Sequence, residues 1–563
     1  MKSPATAELL AIESEADKEL SSLPIPHPSR DISAWHILTV FEDSLRFRFV
    51  GHVESDLIDT GIWGDLSKYS LRHCLDQIFA RCDSNYGMTP PKKTIPQAYK
   101  RAFEFYAKGI DYSSISRIFT SLHTGHSSAI KVDDAYEITY SNFIDARYGA
   151  LEALSHGQES PFDITAQIHV WFRNIGELPV ALNIIEQFTT IKGKFVHYEY
   201  GPQAFALQEE MNQRPSIIPE KWQFPWGSAL DTHALINSLL IRCAYHFLSV
   251  NLAANRSGFS GGAESSLVLA TKKADLCRDI SMFADIGDKK IESFVDHMTY
   301  GYRTRTPDPA LQPLIPTING DILIPCLHTI TCNLQRNILS LMARLNAPSF
   351  DTQSRLFEID MIESLEKLLD KFPLKCTNKK IKLKGREQEF DILIADTSTK
   401  TVMILELRWI LQPGDPREVS NKIKECSKKT KKLEEKIAFL KQNTRSAFEL
   451  FFPQAQNQES FEDWTICGIV VIEGFGGTLS ENSDCPITTS DVLKIGLSSI
   501  SDIRKLMEWI KSLTWLPQQG THFENGREEV KIGTHRILRP GIHLMDEAVR
   551  YRDHIHESLT RYN

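Results

Sequence analysis

The segment that decides the fold of the C-terminal part of this chain is QEFDILIADTSTKTVMILELR, from Gln388 to Arg408. Two apolar runs joined by a short polar turn predict a β-hairpin made of central, buried strands. Asp391 lies in the first run, and Glu406 and Arg408 lie at the end of the second. Because charged groups on buried strands are costly unless a cation or hydrogen bonds compensate them, these residues need a specific partner.

The hairpin register determines whether the two acids meet. If the chain reverses between Ser398 and Thr399, Asp391 lies directly opposite Glu406, with Cβ atoms about 5 Å apart on one face. Arg408 points to the same side as Glu406, because side chains alternate along a strand. In this register the two carboxylates could share one divalent cation. The turn DTSTK specifies the register weakly, and a slip of one residue would separate the acids.

Length and composition indicate a multidomain protein of ordinary globular type. The chain has 563 residues, of which 42% are hydrophobic and 24% charged, and domains of roughly 100–200 residues suggest three or so. Its ten cysteines occur singly, without a CxxC pair, which excludes a zinc knuckle or a disulfide framework. The acidic N-terminal segment lacks an apolar signal core, so we expect a cytoplasmic protein.

One apolar stretch, Leu235–Ala254, is long enough to be considered as a membrane span. Arg242, His246 and two asparagines interrupt it, and such groups are costly in lipid. We therefore interpret it as a buried helix and expect no membrane partner.

Charge is distributed unevenly along the chain. The net charge is −8, but residues 371–445 contain 19 lysines and arginines against 10 acids, a local +9 that leaves −17 for the remainder. The basic region surrounds the acidic pair. Because the local field decides where a polyanion docks, this contrast favours binding of a phosphate backbone.

The pattern of elements divides the chain into three parts. Residues 1–345 are predicted to be a mainly helical recognition or regulatory region, with strand-like runs at 37–50 and 129–140. Residues 350–515 are predicted to form an α/β layered domain, and residues 516–563 a polar appendage. In the middle part the predicted order is a helix at 354–372, a basic strand at 379–384, the hairpin, a lysine-rich helix at 417–442, a strand at 465–473 and a helix at 501–513.

The first helix of this domain contributes a third acid. Its apolar stripe includes Met361, Ile362, Leu365 and Leu369, and Glu358 lies one turn before Ile362 on the same side. Glu358 has two interpretations, a carboxylate stabilising the first turn of a helix or an acid directed at the sheet to meet Asp391 and Glu406.

These residues together resemble the PD-(D/E)xK nuclease superfamily, which has the restriction-endonuclease-like fold. The matching residues are Glu358 in LFEIDMIESL, Asp391 in EFDILIA, and Glu406 with Arg408 in MILELRW. The resemblance covers roughly residues 350–515. It implies Mg²⁺- or Mn²⁺-dependent hydrolysis of phosphodiester bonds, with the metal held by Asp391, Glu406 and the Leu407 carbonyl, while Glu358 binds a second ion or positions the first through a water.

The chain departs from the family pattern where a lysine is expected. Arg408 occupies that position, and arginine stays protonated, so it cannot act as a base. It could orient water or stabilise charge on the phosphate, or a lysine of the next helix, among Lys422, Lys424 and Lys428, could take the role. A further alternative is a purely structural ion pair with Glu389, its cross-strand neighbour.

The lysine-rich helix is the predicted nucleic-acid contact. The candidate residues share one basic stretch and are Lys422, Lys424, Lys428, Lys429, Lys431 and Lys432. Their contacts would be to backbone phosphates, without base specificity. The alternative is a merely solvated helix face.

Three functions remain open from the sequence. The first is a metal-dependent nuclease, acting on DNA in preference to RNA, in prokaryotic restriction or antiviral defence, a context that rests on fold analogy. The second is a nucleic-acid-binding or assembly module on the same fold that has lost catalysis. The third is a helical scaffold with a dimerising nuclease-like domain. Homo-oligomerisation, or a partner subunit that supplies recognition or energy coupling, fits any of them.

Overall fold

The computed structural model describes residues 3–50, 57–83, 93–125, 127–140, 146–157, 180–211, 216–256, 262–372, 374–411, 416–453, 461–474 and 484–562. The helices are α1 (Pro4–Ser22), α2 (Arg30–Val50), α3 (Leu57–Arg81), α4 (Pro96–His123), α5 (Ala146–Gly157), α6 (Val180–Gln187), α7 (Phe205–Met211), α8 (Ala229–Ala254), α9 (Lys273–Ser281), α10 (Asp288–Met298), α11 (Cys326–Thr331), α12 (Leu334–Leu345), α13 (Ala347–Leu369), α14 (Pro416–Gln442), α15 (Thr444–Phe451), α16 (Ser490–Ser499), α17 (Ile503–Ser512) and α18 (Tyr551–Leu559).

The strands are β1 (Ser127–Val132), β2 (Ala135–Tyr140), β3 (Thr189–Lys192), β4 (Phe195–Tyr198), β5 (Gln223–Phe224), β6 (Gly227–Ser228), β7 (Val268–Lys272), β8 (Ile315–Pro316), β9 (Asp321–Pro325), β10 (Leu374–Leu383), β11 (Arg386–Asp396), β12 (Thr401–Trp409), β13 (Thr465–Glu473), β14 (Ile487–Thr489), β15 (Phe523–Ile532) and β16 (His535–Leu544). The protein is thus mixed α/β, with a large helical part, as predicted.

The chain forms two compact units whose boundaries differ from the predicted domains. The sheet unit consists of Met1–Ala11, Arg117–His156 and Ser354–Asn563, and the helical unit of Ile12–Ser116 and Gly157–Gln353. Two segments from the region predicted to be a separate helical domain therefore belong to the sheet unit. The reason is strand pairing, because β2 lies beside β16 and completes a four-stranded sheet in the order β1-β2-β16-β15.

A five-stranded sheet forms the centre of the sheet unit. Its order is β10-β11-β12-β13-β14, with β10, β11 and β12 antiparallel and β13 and β14 parallel to β12. The predicted strand at 465–473 matches β13, and α14 and α17 match the predicted helices to within two residues at each end. The antiparallel meander arises because β10, β11 and β12 are joined by short turns, whereas the parallel crossover from β12 to β13 needs the intervening helix α14.

One face of this sheet is covered by α14 and α15. Helix α14 packs on β12 and β13, and α15 packs on β10. The core between them is fully buried and includes Leu393, Ile404, Leu433, Phe448 and Val470. This packing fixes which side of α14 faces the acidic residues of the hairpin.

The helical unit confirms the interpretation of the apolar stretch as a buried helix. Helix α8 is long and apolar enough to cross a membrane by composition, but 94% of its most apolar window is buried within the protein. The polar groups on it have partners, since Arg242 Nε lies 2.7 Å from Asp279 Oδ2 and His246 Nδ1 lies 2.7 Å from the Tyr198 hydroxyl. Paired polar groups of this kind are typical of a protein interior.

The two strand-like runs in the N-terminal region have different outcomes. Residues 129–140 fall within β1 and β2, as predicted, whereas residues 37–50 belong to helix α2. The second prediction was wrong because α2 is buried on several sides, with Ile37, Leu38, Val40 and Phe41 all inaccessible. A short, mostly apolar run such as ILTVF at 37–41 does not distinguish a buried strand from a buried helix.

Candidate active site

The hairpin adopts the register that brings the two acids together. The backbone pairing ends with Ile392 opposite Leu405, so the next residue on each strand is Asp391 and Glu406, and the Leu407 amide reaches Asp391 Oδ2 from the same end of β12. Both faces of these strands are largely buried between Phe390 and Trp409, so a slip of one residue would exchange the side chains that pack on the two sides of the sheet.

Asp391 is held by the backbone of the neighbouring strand. Its Oδ2 accepts a hydrogen bond from the Leu407 amide at 2.8 Å. Burial and the negative charge of Glu406 raise the pKa of Asp391 to about 6, against the weaker opposing effects of Lys436, Lys429 and the Leu407 amide. The two carboxylates therefore interact, as expected for side chains that share a face.

Glu406 is almost fully buried, and its carboxylate contacts the ammonium groups of two lysines. Lys429 Nζ donates to Glu406 Oε1 at 2.8 Å, and Lys436 Nζ donates to Glu406 Oε2. Burial alone would raise the pKa of Glu406, but the two ammonium groups outweigh it and lower the pKa. Lys429 also donates to the Leu407 carbonyl at 3.1 Å, so one ammonium contacts two different oxygens of β12.

Helical periodicity explains why these two lysines reach the sheet. Cys426, Leu433 and Leu440 are buried along one side of α14 at intervals of seven residues, and Lys429 and Lys436 each follow such a residue by three positions. Residues three and four apart lie on one helix face. The long aliphatic stems of the lysines can cross the apolar layer and deliver their ammonium groups to Glu406.

The predicted phosphate-binding lysines therefore divide into two groups. Lys424, Lys428, Lys431 and Lys432 are exposed, and Lys422 is half-buried. Lys429 instead contacts Glu406, so a lysine of this helix does reach the acidic pair, but it is not one of Lys422, Lys424 and Lys428. Lys436 was missed entirely, although its position among the apolar residues Leu433, Ile437 and Leu440 was a signal of burial.

Arg408 bridges two helices rather than pairing across the hairpin. Its Nε lies 2.7 Å from Glu425 Oε1 of α14, its NH2 also contacts that oxygen, and its NH1 lies 2.7 Å from Glu358 Oε1 of α13. The alternative of an ion pair with Glu389 is wrong, because Glu389 pairs with Lys380 at 3.4 Å. Burial opposes the charge of Arg408, but the two carboxylates outweigh it and raise its pKa.

Glu358 is directed at the sheet, but it meets Arg408. Helix α13 begins at Ala347, earlier than predicted, so Glu358 is in its interior and the interpretation as a first-turn carboxylate is wrong. The adjacent Phe357 stacks on Trp409 with ring centroids 3.8 Å apart, which attaches α13 to the end of β12. Glu358 therefore forms an ion pair with the Arg408 guanidinium. Its contacts do not support the predicted role as a ligand of a second ion.

The oxygen atoms of the site suit a hard divalent cation in type. Two carboxylates and the Leu407 carbonyl lie on adjacent strands, and oxygen ligands of this kind are what Mg²⁺ and Mn²⁺ prefer. Among the described residues, no three His, Cys, Asp or Glu side chains converge on one metal-sized position. The available ligands are therefore two carboxylate side chains and one backbone carbonyl. They can bind an ion only if Lys429 moves away from Glu406 and from the Leu407 carbonyl.

Comparisons with protein-family models, curated proteins and solved structures found no match to this chain.

Proposed function

We propose that this protein is a divalent-cation-dependent nuclease whose sheet unit contains a restriction-endonuclease-like domain. The observation that carries the proposal is the opposition of Asp391 and Glu406 across the β11–β12 hairpin, beside the Leu407 carbonyl. The order of elements supports it, since a helix with an inward glutamate precedes an antiparallel meander, a basic helix and a parallel strand.

Asp391, Glu406 and the Leu407 carbonyl would hold Mg²⁺ or Mn²⁺. When bound, such an ion lowers the pKa of a coordinated water and polarises a phosphoryl oxygen. The protein's own residues then have separate tasks. Lys429 supplies a positive charge next to the reacting phosphate, and Lys436 holds Glu406 in its orientation from the buried side.

Arg408 is a positioning residue in this scheme. It cannot accept a proton at any working pH, and its guanidinium is engaged by Glu358 and Glu425. By linking α13 and α14 to β12 it keeps Lys429 and Glu406 in register. This replaces the family arrangement, in which the corresponding position on the strand carries a lysine.

The substrate is nucleic acid, with DNA preferred. The exposed residues Lys424, Lys428, Lys431 and Lys432 lie on the solvent side of the same helix that supplies Lys429. Their contacts with phosphates would give affinity that falls as salt rises and that does not depend on base sequence.

A second function, nucleic-acid binding without cleavage, is favoured by one specific observation. Glu406 already carries two ammonium groups, and the strand lysine of the family is replaced by Arg408. A site neutralised in this way could bind a phosphate backbone without ever loading a metal ion.

The deciding experiment compares wild-type protein with Asp391→Asn on plasmid and single-stranded substrates, in Mg²⁺, in Mn²⁺ and in chelator. We expect wild-type cleavage that requires the cation, and a loss of at least about 10²-fold in Asp391→Asn, because the ion loses a charged ligand. The asparagine can still accept the Leu407 hydrogen bond, so folding should be retained.

Glu389→Gln is the matched control, since it removes the same charge from the same strand two residues away, at an exposed position. Cleavage by Asp391→Asn at the wild-type rate would refute the metal assignment. Salt-sensitive binding by the wild-type protein without cleavage in any cation would favour the second function.

A further inference from the structure

Lys429 lies on the oxygens that the proposed ion would need. Its ammonium is 2.8 Å from Glu406 Oε1 and 3.1 Å from the Leu407 carbonyl oxygen. These are two of the three oxygens assigned to the cation above. The ammonium therefore occupies the place of a ligated cation between the side chain and the backbone of β12.

The two lysines on Glu406 are not equivalent. Lys436 contacts Oε2 and its side chain is 8% exposed, whereas Lys429 contacts Oε1 and is 17% exposed. Lys436 is also near the Phe390 ring, with its ammonium 5.6 Å from the ring centroid. Lys436 is thus the deeper of the two, and Lys429 is the one that also contacts the Leu407 carbonyl.

A divalent ion and the Lys429 ammonium cannot share these oxygens. At the distances observed, the two positive charges would be within a few ångströms of each other in a poorly solvated site, where repulsion is strong. Loading the ion must therefore move Lys429, while Lys436 can remain on the second oxygen of Glu406. Lysine is suited to such a movement because its compact charge is carried on a flexible stem.

We propose that Lys429 is a built-in cation that keeps the metal site closed and is exchanged for a divalent ion, an inference that rests on the proposed function. Once displaced, its ammonium is available to a phosphate of the substrate, together with the exposed Lys428 and Lys432 of the same helix. Metal binding and polyanion binding then favour one another, because both ligands bind the state in which Lys429 has left Glu406. Such coupling is reciprocal by thermodynamic necessity.

The test measures the affinity for Mn²⁺ by calorimetric titration of the intact protein with Mn²⁺ alone. The proteins compared are the wild type, Lys429→Met, Lys429→Gln and Lys429→Arg. Removing the competing charge should tighten Mn²⁺ binding by about tenfold, which corresponds to a closed state populated at about 90% in the wild type. Lys429→Arg keeps a competing cation and should bind Mn²⁺ no more tightly than the wild type does. Lys441→Met, an exposed lysine on the same helix outside the site, is the control and should match the wild type.

The outcomes separate this inference from the proposed function. Equal or weaker Mn²⁺ affinity in both Lys429→Met and Lys429→Gln overturns the exchange. If the wild type nevertheless cleaves nucleic acid in an Asp391-dependent way, the nuclease assignment stands without it. Absence of Mn²⁺ binding in the wild type and in every variant overturns both.

Discussion

Glu406 and Asp391 face each other, but they contribute to stability in opposite ways. The sequence suggested that each acid was a local cost, and for Asp391 the raised pKa agrees, since the folded environment disfavours its charge. Glu406 differs, because it is the partner of the buried Lys436. Removing one member of a buried pair leaves the other charge uncompensated.

We therefore predict that Glu406→Gln lowers the free energy of unfolding by about 3 kcal/mol, whereas Asp391→Asn leaves it unchanged or raises it. Lys436→Met combined with Glu406→Gln should recover much of that loss, because the unpaired buried ammonium is gone. Chemical denaturation of the wild type, Glu406→Gln, Lys436→Met and the double variant gives the double-mutant cycle. If the two single losses simply add in the double variant, Lys436 and Glu406 are not coupled and this account of the pair is wrong.

At the scale of elements, the rotation of α14 about its axis decides which of its lysines contact Glu406 and which face solvent. The strands could be located from the sequence by the apolar runs ILIA and VMILEL, but their register stayed open, because the turn is weak and both faces of the runs are apolar. The helix could be located but not oriented. The sequence NKIKECSKKTKKLEEK has seven lysines, and which of them point to the sheet depends on the angle of each around the helix axis, which is set by how Cys426 and Leu433 pack against the sheet.

The bridge formed by Arg408 illustrates the same point, since its partners come from two helices that are far apart in sequence. The predicted hairpin register suggested Glu389 as the cross-strand partner, but two helices packing around the end of β12 bring Glu358 and Glu425 to Arg408. Contacts of this kind depend on the three-dimensional arrangement of elements, which local sequence does not encode.

Arg408→Lys tests the bridge. An ammonium cannot reproduce the planar fork that contacts both carboxylates at once, so we expect a loss of about 1–2 kcal/mol in the free energy of unfolding, with faster amide hydrogen exchange in α13 around Glu358. The control is Arg445→Lys, because Arg445 and Glu449 form an exposed pair within one helix and such pairs contribute little. Unchanged exchange in α13 of Arg408→Lys would contradict a bridging role.

At the scale of the whole molecule, the C-terminal residues are a structural part of the sheet unit. They were predicted to be a polar appendage, but they form strands β15 and β16, and exposed and half-buried residues alternate along most of β15. Their partner could not be predicted. Arg536 pairs with Ala135 and Leu538 with Glu137, and pairing across about four hundred residues leaves no local signature.

This pairing predicts that residues 350–563 expressed alone retain the five-stranded sheet but lack β1 and β2. The edge of β16 would then present unpaired backbone groups, which promote association with other chains. We expect the fragment to self-associate and to melt at a lower temperature than the same fragment to which residues 117–156 are fused through a flexible linker. Light scattering and thermal melts of the two fragments make the comparison, with the full-length chain as reference. A monomeric fragment 350–563 as stable as the fused one would mean that β2 contributes nothing to the sheet unit, and that the predicted domain boundary near residue 350 is the better description of how this chain folds.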